Sequence, residues 1–201
     1  MILIIGFPKA GTTSFDNVLK QLGYRTLHSH NEDYSVIAGE LIERARQENK
    51  PLLHYIEALG YDAVTELNFS IYPKTYWPQF TCIHDIIRDY DIAYILNKRD
   101  IQKHVRCLKT LHIDEIIKRD NHLTSEIEDI IIKYYDDIKK TIEQYGRKYI
   151  EYHIDTDDIS TLKPYIDLKD ITEFPHMNKT VYDATLPKIT VDQDDLVVSE
   201  S

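Results

Sequence analysis

The chain has 201 residues, 42% hydrophobic and 29% charged, which is enough to bury one substantial core, so a single domain is the default. Its formal net charge of −10 argues against a protein that coats nucleic acid with its whole surface, while leaving room for a local anion site. The apolar start is too short to span a membrane or, without a basic leader, to act as a secretory signal, and two cysteines without metal-type spacing suit free thiols in a reducing, cytoplasmic-type compartment.

The apolar run predicts a strand over residues 2–6, and Gly6-Phe7-Pro8-Lys9-Ala10-Gly11-Thr12-Thr13-Ser14 follows it directly. This order reads as a phosphate-binding loop. Where a buried strand ends in glycines and a helix begins, inward-turned backbone N–H groups and the positive end of the helix dipole gather around an anion. Thr12 and Thr13 add hydroxyl donors at the helix start. A Walker A loop carries its lysine directly after the second glycine. Here Thr12 holds that place and the only loop lysine is Lys9, so the lysine approaches the anion from a different side.

The spacing of Phe15, Val18, Leu19 and Leu22 predicts a helix over 12–22 capped by Gly23, then a short strand over 24–28. His28-Ser29-His30 would set both rings on one face of an extended segment, yet no cysteine or second histidine pair completes a metal site, and no metal is expected. Helices are predicted over 34–47 and 52–59, a third strand over 61–67, a helix over 80–90 and a doubly buried strand over 92–96. A helix over 101–111, a long amphipathic helix over 125–145 ended by Gly146, and a last strand over 149–154 complete the pattern. Alternation of this kind predicts an α/β fold: three layers, with a mostly parallel central sheet flanked by helices and ligands at the carboxyl ends of the strands. Asp192, Asp194, Asp195 and Glu200 mark an acidic tail, so the expected division is a domain over 1–183 and a solvated tail over 184–201.

The order Pro8-Lys9-x-Gly11-Thr12-Thr13 resembles the 5′-phosphosulfate loop of the sulfotransferases that use 3′-phosphoadenosine-5′-phosphosulfate as donor. Three later segments arrive in the order such a resemblance implies. Arg99 closes the fourth strand, where the family's arginine meets the 3′-phosphate, and Cys107 occupies the place, eight residues on, of the family's phosphate-binding serine. The Leu22-Gly23 turn with His28 beyond it, and Phe174-Pro175-x-x-Asn178, resemble a subset of the family. The resemblance implies a donor site made of Gly6, Pro8, Lys9, Ala10, Gly11, Thr12, Thr13 and Ser14 with Arg99 and Cys107, and a lysine, Lys9, beside the departing phosphate oxygen.

A base for the acceptor is expected at the carboxyl edge of the sheet. Glu66, after the third strand, ranks first, and His28 or His30 could serve near neutrality. Glu66 could instead pair with Lys9 or Arg99, and Arg99 with Asp100. The acceptor is a small molecule, a glycan or a peptide side chain, with neither nucleic acid nor membrane expected as a partner. The alternatives are a P-loop kinase or NTPase, against which Thr12 counts, and a non-catalytic nucleotide-binding relative, which Cys107 keeps open, a thiol being a poor donor.

Overall fold

The structure is a computed structural model and describes residues 1–71 and 74–174. The apolar run at the start of the chain becomes β1 (Ile2–Ile5), the middle strand of a five-stranded sheet. On one side of it lies β3 (Ala63–Glu66) with β2 (Thr26–His28) beyond; on the other lies β6 (Ala93–Lys98) with β7 (Tyr149–His153) beyond. All four pairings are parallel. The fold is therefore α/β, as the alternation of elements predicts.

Parallel strands joined by helices are covered on both faces, which is why they read as unbroken apolar runs. Leu3 and Ile5 point into one cluster with Leu27, Val64, Tyr94 and Leu96. Ile2 and Ile4 point into the other, with Ala63, Ile95 and Tyr152. The first face is packed by α2 (Ala38–Gln47), α3 (His54–Ala58), α5 (Ile83–Asp89) and α8 (Ile127–Gln144), whose Ile130, Ile131, Ile138 and Ile142 form the inward stripe. The second is packed by α1 (Thr12–Gln21), through Phe15, Val18 and Leu19, and by a 3-10 turn, Ile159–Leu162. Beyond the turn, Ile166 and Leu168 are buried in that cluster, and Phe174 lies against it, 4.7 Å from Phe15 ring to ring.

The chain leaves β1 for the far edge, returns to β3 beside it, and then crosses to β6 on the opposite side. That reversal opens a crevice at the carboxyl end of β1, where ligands bind in such sheets. The loop over 6–14 sits there.

Four local expectations give way. The helix expected over 34–47 begins only at Ala38, because Asn31 Oδ1 accepts from Val36 N (2.9 Å) and Asp33 Oδ1 from Ser35 N (3.0 Å), holding 31–36 as a polar turn. The helix over 80–90 is two, α4 (Pro78–Thr81) and α5, parted at Cys82, whose φ of −145° is not helical. An antiparallel hairpin of β4 (Phe69–Ile71) and β5 (Lys74–Tyr76) stands between the strand expected over 61–67 and the helix expected over 80–90, where no element is predicted. A separate helix, α7 (Ile113–Asp120), follows α6 (Ile101–Thr110). Residues 175–201, including Pro175, Asn178, the end of the 1–183 domain and the acidic tail, lie outside the described residues.

Candidate active site

The loop between β1 and α1 is shaped by two positive-φ residues, Lys9 at 68° and Gly11 at 96°. Glycine is needed at 11 for two reasons. The left-handed conformation strains any other residue, and a Cβ there would sit 2.7 Å from Ile154 Cδ1. At Gly6 the crowding is milder, with a Cβ 3.0 Å from Thr12 Cγ2 and 3.4 Å from the Asn97 carbonyl.

Three successive loop carbonyls are held by side chains of one segment, the end of β6 and the start of α6. His104 Nε2 donates to Pro8 O (2.8 Å), Arg99 Nη1 to Lys9 O (3.3 Å) and Asn97 Nδ2 to Ala10 O (2.9 Å). In a trans peptide the C=O and the following N–H point in opposite directions. Tying down Pro8 O and Ala10 O therefore aims the N–H groups of Lys9 and Gly11 away from that segment. Among the described residues, the amides of Lys9, Gly11, Thr12 and Thr13 meet no protein acceptor, whereas Ala10 N and Ser14 N close turns onto Phe7 O and Gly11 O. The result is a row of donors at a helix N-terminus, the geometry that takes an anion. From below, Tyr135 OH donates to Asn97 O (2.6 Å) and accepts from Phe7 N (2.9 Å), fixing the loop to α8.

The side chains that open α1 meet the ends of the neighbouring strands. Thr12 Oγ1 donates to Glu66 Oε2 (3.0 Å), and among the described residues the carboxylate makes no ion pair with Lys9 or Arg99. Glu66 is buried, and its Oε1 lacks a well-formed hydrogen bond. Burial pushes its pKa up to about 7, against the opposing pull of Thr12, the Asn68 amide and Lys9. A carboxyl tuned to neutrality can both lose and take a proton under working conditions. Lys9 itself is exposed at the rim.

His28 and His30 part company, contrary to the expectation of one shared face. Ser29 takes φ 53°, which breaks the alternation. The His28 ring turns inward between Thr13 Oγ1 (3.2 Å) and Thr65 Oγ1 (3.0 Å), and burial lowers its pKa to about 4, outweighing the opposing pull of Asp16. His30 stacks on Tyr34 at 4.0 Å, with Phe69 edge-on at 5.6 Å. Ser29 N donates to the backbone carbonyl of Glu66 (2.8 Å), so the segment that carries this aromatic group is tied to the end of β3.

Arg99 is half-buried. Besides Lys9 O it faces Asp155, not Asp100, with Nε 3.7 Å from Oδ2, and that Nε is buried without a hydrogen-bond partner. Cys107 is a free thiol on the buried side of α6, with His104 and Leu108. Among the described residues no group of three His, Cys, Asp or Glu could hold a metal, and no helix is long and apolar enough to cross a membrane.

Asn97, His104 and Tyr135 are absent from the sequence-derived site, although one had a legible signal. His104 shares its helix face with Cys107 and Leu108 at spacings of three and four, so an inward-facing imidazole in need of a partner is implied by the stripe. No such signal marks Asn97 or Tyr135.

No curated protein and no solved structure gives a significant match to the chain. A family model described as a sulfotransferase domain matches residues 1–163, four-fifths of the sequence, spanning the loop and every strand of the central sheet. With this match and the all-parallel sheet that presents the loop in its switch-point crevice, the chain belongs to the sulfotransferase family and is a transferase.

Proposed function

We propose that the donor is 3′-phosphoadenosine-5′-phosphosulfate and that the acceptor is a hydroxyl or amine of a small molecule, glycan or peptide. The observation that carries this reading is the row of unengaged amides at Lys9, Gly11, Thr12 and Thr13, with Lys9 in the loop where a Walker lysine is missing. The amides and the threonine hydroxyls hold the 5′-phosphate. Arg99, which reaches from the end of β6 to Lys9 O, takes the 3′-phosphate, and Cys107 is the neighbour on α6 that the family pattern names for it.

In the reaction, the acceptor oxygen or nitrogen attacks sulfur in line with the bridging oxygen. The new bond to sulfur forms as the sulfur–oxygen bond to the phosphate breaks, and the electron pair departs on that phosphate oxygen. Lys9 stabilises the charge there, as positioned cations do in phosphoryl transfer. Glu66 takes the acceptor's proton. Its neutral-range pKa supports this role over His28, whose two ring nitrogens already face threonine hydroxyls. The Tyr34–His30–Phe69 group, on the segment tied to the end of β3, marks the acceptor's side of the site.

Titration calorimetry tests the donor reading. The product nucleotide 3′-phosphoadenosine-5′-phosphate is expected to bind equally with magnesium or with a chelator, and more tightly than 5′-AMP. Tighter binding of magnesium-ATP than of the bisphosphate would make the protein a kinase-like binder instead.

A further inference from the structure

We propose that His104 is the positioning residue of the anion loop: by donating from Nε2 to the Pro8 carbonyl it aims the Lys9 amide, and with it the Lys9 side chain, at the bound phosphate. The role rests on reading the loop as an anion site. Its basis is geometric. The hydrogen bond is 2.8 Å long and fully buried, and it spans from α6 to the residue just before the left-handed turn at Lys9. Because the Pro8–Lys9 peptide is planar, its carbonyl direction dictates its N–H direction.

The donor is itself held firmly. Asp100 caps α6 by accepting from Lys103 N (2.9 Å), and Asp155 Oδ2 accepts from Asp100 N (3.0 Å), which fixes the helix start one turn before His104. The ring also stands edge-on to Phe7 at 5.8 Å. Packing alone does not account for an imidazole here. Its Nδ1 is buried without a partner, a cost that a leucine or phenylalanine filling the same space would avoid. The bond to Pro8 O is the one thing the imidazole supplies that an apolar side chain would not. Burial also lowers its pKa to about 4, so the ring is neutral near pH 7, with the proton on the nitrogen that faces Pro8. Arg99 and Asp155 are the charges that act on it, and they oppose each other.

Three measurements test the proposal. Nitrogen NMR of the unaltered protein should show the His104 ring neutral and protonated at Nε2 between pH 6 and 8; the Nδ1–H tautomer or an imidazolium would overturn the assignment without any variant. Hydrogen exchange should accelerate in His104→Phe only within residues 6–14, at the hydrogen-bonded amides of Phe7, Ala10 and Ser14, with the sheet strands unchanged. His104→Gln, whose terminal amide can stand where Nε2 stands, should restore slow exchange. Acceleration spread evenly over the sheet, or a failure of glutamine to restore protection in a folded variant, would make His104 a packing residue. If the phenylalanine variant does not fold, His104→Asn, whose amide falls short of Pro8, replaces it in the same comparison. Affinity for 3′-phosphoadenosine-5′-phosphate should fall on the order of tenfold in the Phe variant, equivalent to one neutral hydrogen bond, and recover in the Gln variant. Absence of bisphosphate binding to the unaltered chain would overturn the donor reading, while exchange confined to 6–14 would still uphold the role of His104 in the loop.

Discussion

Glu66 and His28 lie on adjacent strands, yet burial moves them in opposite directions on the pH scale, and stability should record both. Glu66 has a folded pKa of about 7 against an ordinary 4.5, so between those values the native state binds the extra proton and stability falls as pH rises. His28 and His104 have folded values of about 4 against an ordinary 6.5, so between 4 and 6.5 the unfolded state binds more protons and stability rises with pH. Glu66 therefore offsets part of the histidine effect. Glu66→Gln should steepen the gain in stability from pH 4.5 to 6.5 by up to about 1.4 kcal/mol per pH unit, measured from urea unfolding at several pH values. Parallel curves for the two proteins would show that the carboxyl titrates normally. Lys9 makes its claim on rate instead. Since it acts on charge that grows as the sulfur–oxygen bond breaks, Lys9→Ala should lower label transfer from the sulfated donor on the order of a hundredfold. The affinity for the product nucleotide should change far less, and equal losses in both would make Lys9 a binding residue only.

At the scale of elements, the hairpin β4–β5 is the part least expected from the sequence, and it sits close against α2. It packs on α2 through Gly39, where a Cβ would come within 2.3 Å of Tyr76 Cβ, an atom fixed to the strand backbone. Gly39→Ala should therefore push the hairpin outward and destabilise the protein by about 1–3 kcal/mol, read as a lower urea midpoint at unchanged slope. An unchanged midpoint would mean that the helix shifts freely against the hairpin. The contrast between legible and illegible elements has a physical basis. Ile2–Ile5, Ala93–Lys98 and the stripe of α8 declare themselves because burial on two faces or on one stripe imposes a repeat that survives in one dimension. The true start of α2 does not, because it depends on whether Asn31 and Asp33 bond their own turn, a competition decided by local geometry. The site divides similarly. The loop and Glu66 follow from residue types at a strand end, whereas Asn97 and Tyr135 act on a carbonyl and an amide of residues 87 and 128 positions away in sequence, which no motif encodes.

For the whole molecule, the family match and the folded unit end in different places. The match stops at residue 163, yet the core behind α1 continues through Ile166 and Leu168, both buried, to Phe174 against Phe15 and Tyr152. Lys169 Nζ also donates to Leu22 O (2.8 Å) at the end of the loop helix. Each fully buried aliphatic side chain contributes roughly 1.5–3 kcal/mol, a large part of the total stability of an ordinary domain. A fragment over 1–163 should consequently unfold at markedly lower urea than the full chain, with the loss shared by α1. Equal midpoints would confine the fold to the matched residues.

The central position of β1 has a consequence for synthesis. The strand that needs partners on both sides is made before either of them. Its second neighbour, β6, comes only at Ala93–Lys98, and the tyrosine that holds Phe7 comes at position 135. Until β3 and then β6 are made, four consecutive apolar residues have unpaired edges and uncovered faces, which leaves an aggregation-prone segment on the nascent chain. The phosphate loop, which directly follows that strand, waits for clamps translated some ninety residues later.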